Sequence, residues 1–192
     1  FTTAGGTSVS NIARWNGTQW RALGAGLDSP ANAMVVYNGQ LVVTGFFTTA
    51  GGSAASGIAR WTGSAWQTLG TGLSSGADSL TVFGSDLIAG GFFTTAGGVS
   101  VRNIAKWNGS AWSALGAGIS DTVKALAVYN NQLYAGGFPG PSNNAGVQRW
   151  NGSAWSIVGS GGVTNTCNSL AVYNGELYAG GRFETAGGVN VN

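Results

Sequence analysis

A basic residue stands immediately before a tryptophan four times in this 192-residue sequence, at Arg14-Trp15, Arg60-Trp61, Lys106-Trp107 and Arg149-Trp150. Four cations at a regular spacing could form a ring that holds an anion. The simpler role is structural: each cation packs on a neighbouring indole and bonds carbonyls of the next repeat. A second set of polar groups falls where the repeats differ most. It comprises Asp28, Asp78, Asp121, Lys124, Asn165 and Asn168, in the segments 28–32, 74–78, 120–124 and 164–168. Variable loops on a repeated framework are where a specific ligand site is expected.

Other chemistry is poorly supplied. The chain has no histidine, so it lacks the commonest general base and transition-metal ligand. Its six acidic residues are scattered. No catalytic, cofactor-binding or metal-ligating residues are assigned, and the chain does not read as an enzyme. The one cysteine, Cys167, stands where other repeats carry Ala or Val and reads as a small core residue. Asn16, Asn108 and Asn151 begin Asn-Gly-Ser/Thr triplets that a secretory pathway could glycosylate. A hairpin turn would require the same residues.

Composition narrows the partners. Charged residues are 7% of the chain, against about 25% in an average domain. Solubility must therefore rest on uncharged polar groups. The net charge is +2 with no basic run, which gives no footing for nucleic acid or an anionic membrane surface. No apolar stretch approaches the roughly 18 residues of a membrane span. A protein or a glycan remains as the partner class. The start at Phe1, in mid-motif, leads us to expect a trimmed or processed N-terminus, and membership of a longer chain or assembly.

The elements that position these groups are set by an internal repeat. Ile12-Ala-Arg-Trp-Asn-Gly17 returns at Ile58, at Lys106-containing Ile104–Gly109 and, more loosely, at Val147–Gly152. Each repeat holds four short apolar runs; in the third they are 103–107, 111–115, 125–129 and 133–136. Such lengths suit strands. Asn38-Gly39 and Asn174-Gly175 join the first run to the second, and Asn16-Gly17, Asn108-Gly109 and Asn151-Gly152 join the third to the fourth. All five read as two-residue type I′ hairpins. Met34–Tyr37 and Leu41–Val43 are apolar on both faces, so the sheets should be covered on both sides.

A four-stranded antiparallel meander repeated about every 46 residues describes a β-propeller blade. The chain is thus expected to be all-β, a single repeat domain over 1–192, with repeats at 1–32, 33–78, 79–124 and 125–168. Residues 169–192 would supply two strands that could close with 1–32. Four blade equivalents result, as a closed four-bladed ring or as part of a larger propeller or array. Phe183-Glu-Thr-Ala-Gly-Gly188 repeats Phe1-Thr-Thr-Ala-Gly-Gly6, an overlap that a longer array would produce.

Gly90-Gly91, Gly136-Gly137 and Gly180-Gly181, followed by the pairs Trp15/Trp20, Trp61/Trp66, Trp107/Trp112 and Trp150/Trp155, make the chain resemble the kelch family. Thr44-Gly45 is a degenerate copy, and Trp-Asn-Gly stands where the family has Tyr-Asp-Pro. The resemblance spans the whole chain and implies a propeller with a binding role. Kelch-like copper oxidases need His ligands that this chain lacks. Similar Ala-Gly-Gly and Trp-Asn-Gly arrays look like those of secreted or surface-anchored proteins. The functional expectation is a noncatalytic extracellular or cell-surface structural or binding module, then a glycan-binding propeller, and third an enzyme with an unrecognised site.

Overall fold

The computed structural model of the chain describes residues 1–138, 146–160 and 162–191; the Pro139-Gly140-Pro141 segment lies outside them. Their regular structure is entirely β. Three four-stranded antiparallel sheets succeed one another. The first is Ala31–Tyr37, Gln40–Gly45, Ile58–Trp61 and Trp66–Thr68. The second is Ala77–Phe83, Asp86–Gly91, Ile104–Trp107 and Trp112–Ala114. The third is Val123–Tyr129, Gln132–Gly137, Val147–Trp150 and Trp155–Ile157. Strands lie side by side in chain order within each. The expected meander is therefore present.

Half-sheets flank them, Ala13–Trp15 with Trp20–Ala22 and Thr166–Tyr173 with Glu176–Arg182. Each half pairs only within itself, so Ile12–Leu23 does not complete the sheet begun by Leu170–Ala179. Among the described residues the strand pairing closes no ring. Both halves carry the same small hairpin, Thr3–Ala4/Thr7–Ser8 at one end and Thr185–Ala186/Val189–Asn190 at the other. Direct closure would bring two equivalent hairpins to one position.

The turn chemistry follows the sequence in part. Asn38 and Gly39 have φ of 48° and 74°, and Asn174 and Gly175 have 49° and 75°, as a type I′ turn requires. The other Asn-Gly pairs differ from expectation. In Asn16-Gly17, Asn108-Gly109 and Asn151-Gly152 only the glycine has positive φ, and the flanking pairs are Trp15↔Trp20, Trp107↔Trp112 and Trp150↔Trp155. These are four-residue loops. The Asn108 Oδ1 accepts from Ser110 N, Ser110 Oγ and Ala111 N, all at 2.9 Å. The side chain thus replaces a backbone acceptor, which favours Asn at the loop start over a two-residue turn.

Burial on both faces holds for the second strands: Asp86–Gly91 and Gln132–Gly137 are buried beyond their first residue. It fails at Met34 and Val36, which are exposed. The preceding half-sheet contains no first or second strand to cover them. Elsewhere the core runs between neighbours. One cluster joins Val42, Ile58 and Leu69 of the first sheet to Leu87, Ala105 and Trp107 of the second. Burial of side chains such as Phe47 and Phe93 contributes roughly 1.5–3 kcal/mol each.

Polar staples cross the same boundaries. The indole N–H groups of Trp66, Trp112 and Trp155 donate to the carbonyls of Leu23, Leu69 and Leu115 at 2.9, 2.8 and 3.2 Å. Thr44 Oγ1 donates to Gly57 O at 2.7 Å and accepts from Ala77 N at 3.1 Å. The degenerate Thr44-Gly45 thereby links two sheets where its equivalents use Gly for close approach. A Cβ on Gly90 would meet Val123 of the next sheet at 2.5 Å.

Candidate functional site

Among the described residues, three of the loops entering a first strand meet the hairpin that follows that sheet's second strand. Asp28 Oδ1 accepts from Thr48 N and Thr49 N at 2.9 and 3.0 Å, and Asp28 Oδ2 from Thr48 Oγ1 at 2.6 Å. The Thr48 hydroxyl and these amides hold the Asp28 carboxyl down to about 2. Ser74 Oγ takes the same place one repeat on, accepting from Thr94 N and Thr95 N. Thr164 Oγ1 accepts from Thr185 N at 3.2 Å. The two loop sets therefore share one rim. Position 28 serves first to fix it.

A second row arises from backbone irregularity. Pairing in each first strand skips one residue, and the skipped residues are Asn32, Asp78, Lys124 and Asn168. A bulge leaves its extra residue outside the ladder and re-aims its side chain. Asn32 Nδ2 donates to Asp78 Oδ1 at 3.1 Å, and Lys124 Nζ lies 2.8 Å from Asp78 Oδ2. Three successive sheets are thus joined by one polar chain. Lys124 also stands 5.8 Å from the Phe138 ring centroid. Asn168 lines a separate surface cavity of about 170 Å³ with Phe138, Thr166 and Arg182.

Asp121 and Asn165 remain local. Asp121 Oδ1 accepts from Thr122 N at 2.8 Å, and Asn165 Oδ1 from Thr166 N at 2.9 Å with φ of 68°. The six rim residues picked from the sequence are consequently divided among different tasks. They do not converge on one pocket.

Among the described residues, Lys106 and Arg60 find partners other than the next repeat's carbonyls that were expected for them. Lys106 pairs with Asp86 at 3.3 Å and Arg60 Nε donates to Gln67 at 3.2 Å, both within their own sheets. The register sets these partners within the sheet: Lys106 faces Ile88 and Ser113 directly, and Arg60 faces Gln67. Arg14 and Arg149 sit at the corresponding positions of their strands. The tryptophan pairs are tilted stacks with centroids 5.3–5.5 Å apart. Trp107, Trp112 and Trp150 are buried; Trp61, Trp66 and Trp155 are half-buried; Trp15 and Trp20 are exposed. Asn16, Asn108 and Asn151 lie exposed in their loops. Cys167 is fully buried, and burial pushes its thiol above the usual range.

The sequence reading missed a row of aromatics. Phe46, Phe92 and Phe138 are 58%, 67% and 42% exposed, whereas the adjacent Phe47 and Phe93 are buried. Side chains one residue apart in extended chain point to opposite faces, and just past the strand end only the face of Phe47 and Phe93 is covered. Phe46 forms one wall of a surface cavity of about 350 Å³ at the same rim.

No family model and no curated protein matches the chain. Among solved structures, it is similar to the extracellular domain of a protein from B. thetaiotaomicron assigned as a one-component system, with a TM-score of 0.53 and 11% identity. The match covers 80% of this chain and 20% of that one. This chain spans about a fifth of its length, and the likeness is one of fold.

Proposed function

We propose that this chain is a noncatalytic structural or binding module of kelch-like propeller type, working outside the cell or at its surface. The observation that carries the reading is the rim: a rigid repeated framework holds two variable loop sets together, and its polar groups bond one another. Asp28, Asp78 and Lys124 are all engaged in this way. The similarity to an extracellular domain supports the location. Four blade equivalents enter either a closed ring, with one terminal hairpin displaced, or a larger propeller.

A glycan-binding role is the second reading, favoured by aromatic faces left open beside hydroxyl and amide groups. Surface labelling of intact source cells tests the first: label on the protein is expected, and its confinement to the cytosol would reject the reading. Native mass, with hydrogen exchange along Glu176–Arg182, tests the architecture. Slow exchange in a monomer is expected for a closed ring, and rapid exchange for an open edge.

A further inference from the structure

The cavity beside Phe46 has the chemistry of a sugar site. Phe46 and Thr48 come from the end of the second strand and its hairpin, Ser56 from the approach to the third strand, and Leu73, Ser74 and Ser75 from the loop to the next sheet. The cavity therefore lies between two repeats. Its position is fixed by Phe46 N donating to Pro30 O at 3.2 Å and Leu73 N donating to Ser56 O at 2.9 Å. A Cβ on Gly76 would strike the Gly45 carbonyl, so Gly76 keeps the loop close to the strand end.

A sugar ring offers a flat C–H face and a rim of hydroxyls that both donate and accept. Phe46 presents a ring at 58% exposure, and its burial would be gained only on binding. Around it stand hydroxyls of the dual donor and acceptor type. Ser74 Oγ already accepts two amide N–H groups, which leaves its proton for a ligand oxygen. No ionisable side chain lines the cavity itself, and the adjoining Asp28 carboxylate is already taken up by the amides of Thr48 and Thr49 and the Thr48 hydroxyl. At about 350 Å³ it falls at the lower end of small-ligand sites, roughly 300–1,000 Å³. One repeat on, the equivalents of Ser56 and Ser75 are Arg102 and Asp121, so the neutral character belongs to this cleft.

We propose that the cleft formed by Phe46, Ser56, Ser74 and Ser75 binds a neutral oligosaccharide, Phe46 stacking on a sugar face. This rests on the reading of the chain as a binding module and names the ligand class. The test is an NMR titration of the chain with cellohexaose and with maltohexaose. Shifts in at least one titration are expected at residues 46–48, 56–57 and 74–76. Phe46→Ala is expected to weaken that binding about tenfold or more, Phe46→Trp to retain it, and Phe92→Ala to leave it unchanged. No shift with either sugar, or equal affinity in Phe46→Ala, would overturn the proposal. Shifts confined to another part of the rim would overturn the cleft and leave the module reading standing. Cleavage of either sugar would overturn both.

Discussion

The indole N–H of Trp112 donates to the carbonyl of Leu69 at 2.8 Å, from the outer edge of one sheet to the outer edge of the sheet before it. Trp112 is 4% exposed and stacks on Trp107 within its own sheet. One residue therefore combines aromatic burial with a bond across the repeat boundary. Trp112→Ala is expected to cost about 3–5 kcal/mol, and Trp112→Phe to retain much of the packing while losing the bond, at about 1 kcal/mol. Trp20, in the exposed half-sheet, should tolerate alanine far better. Urea unfolding of the three variants measures the order.

Asp28 gives the rim an acid limit. Its carboxyl titrates at about 2 when folded against an ordinary 3.8, so the charged form is favoured by the fold. The stabilisation is fully present above pH 3.8 and is lost as pH falls toward 2. Asp28→Asn is expected to flatten the decline in melting temperature across that interval and leave its course above pH 5 parallel to the parent. Thermal melts from pH 2 to 6 check this. An unchanged decline would place the acid sensitivity elsewhere.

The ion pair between Lys124 and Asp78 is partly buried, and it tethers neighbouring first strands. A double-mutant cycle with Lys124→Met and Asp78→Asn should give a coupling of about 0.5–1 kcal/mol. High salt should reduce it. Asp121→Ala, which removes a bond to the adjacent amide only, should change stability by less than about 0.5 kcal/mol.

Gly76 touches the backbone of the preceding sheet. Its missing Cβ would collide with a carbonyl oxygen, that of Gly45, and not with the end of a mobile side chain. Gly76→Ala is expected to destabilise by about 1–3 kcal/mol. Gly98, where a Cβ would meet nothing within 4 Å, is the comparison for space, although its φ of 81° adds strain of its own. Melting temperatures of the two variants separate collision from strain.

Local chemistry made much of the architecture readable from the sequence. Short apolar runs predict strands and Asn38-Gly39 predicts a tight hairpin, both through contacts a few residues apart; the Trp spacing predicts the repeat by periodicity alone. The sharing of a rim by two loop sets follows from the same meander. The sequence alone picked out the variable polar residues, but it could not sort them. Asn32, Asp78 and Lys124 are 46 residues apart at each step, and only stacking of sheets brings their side chains within hydrogen-bond distance. Their aim depends on bulges, which no period-two pattern reveals. The four-residue loops at Asn16, Asn108 and Asn151 escaped for a similar reason: an Asn side chain can stand in for a backbone acceptor, and the dipeptide is the same in both turns. Which phenylalanine of Phe46-Phe47 faces solvent, and whether the half-sheets meet, were decided by packing between segments far apart in the chain, because burial and edge pairing are properties of neighbours that a strand acquires only after the sheets assemble.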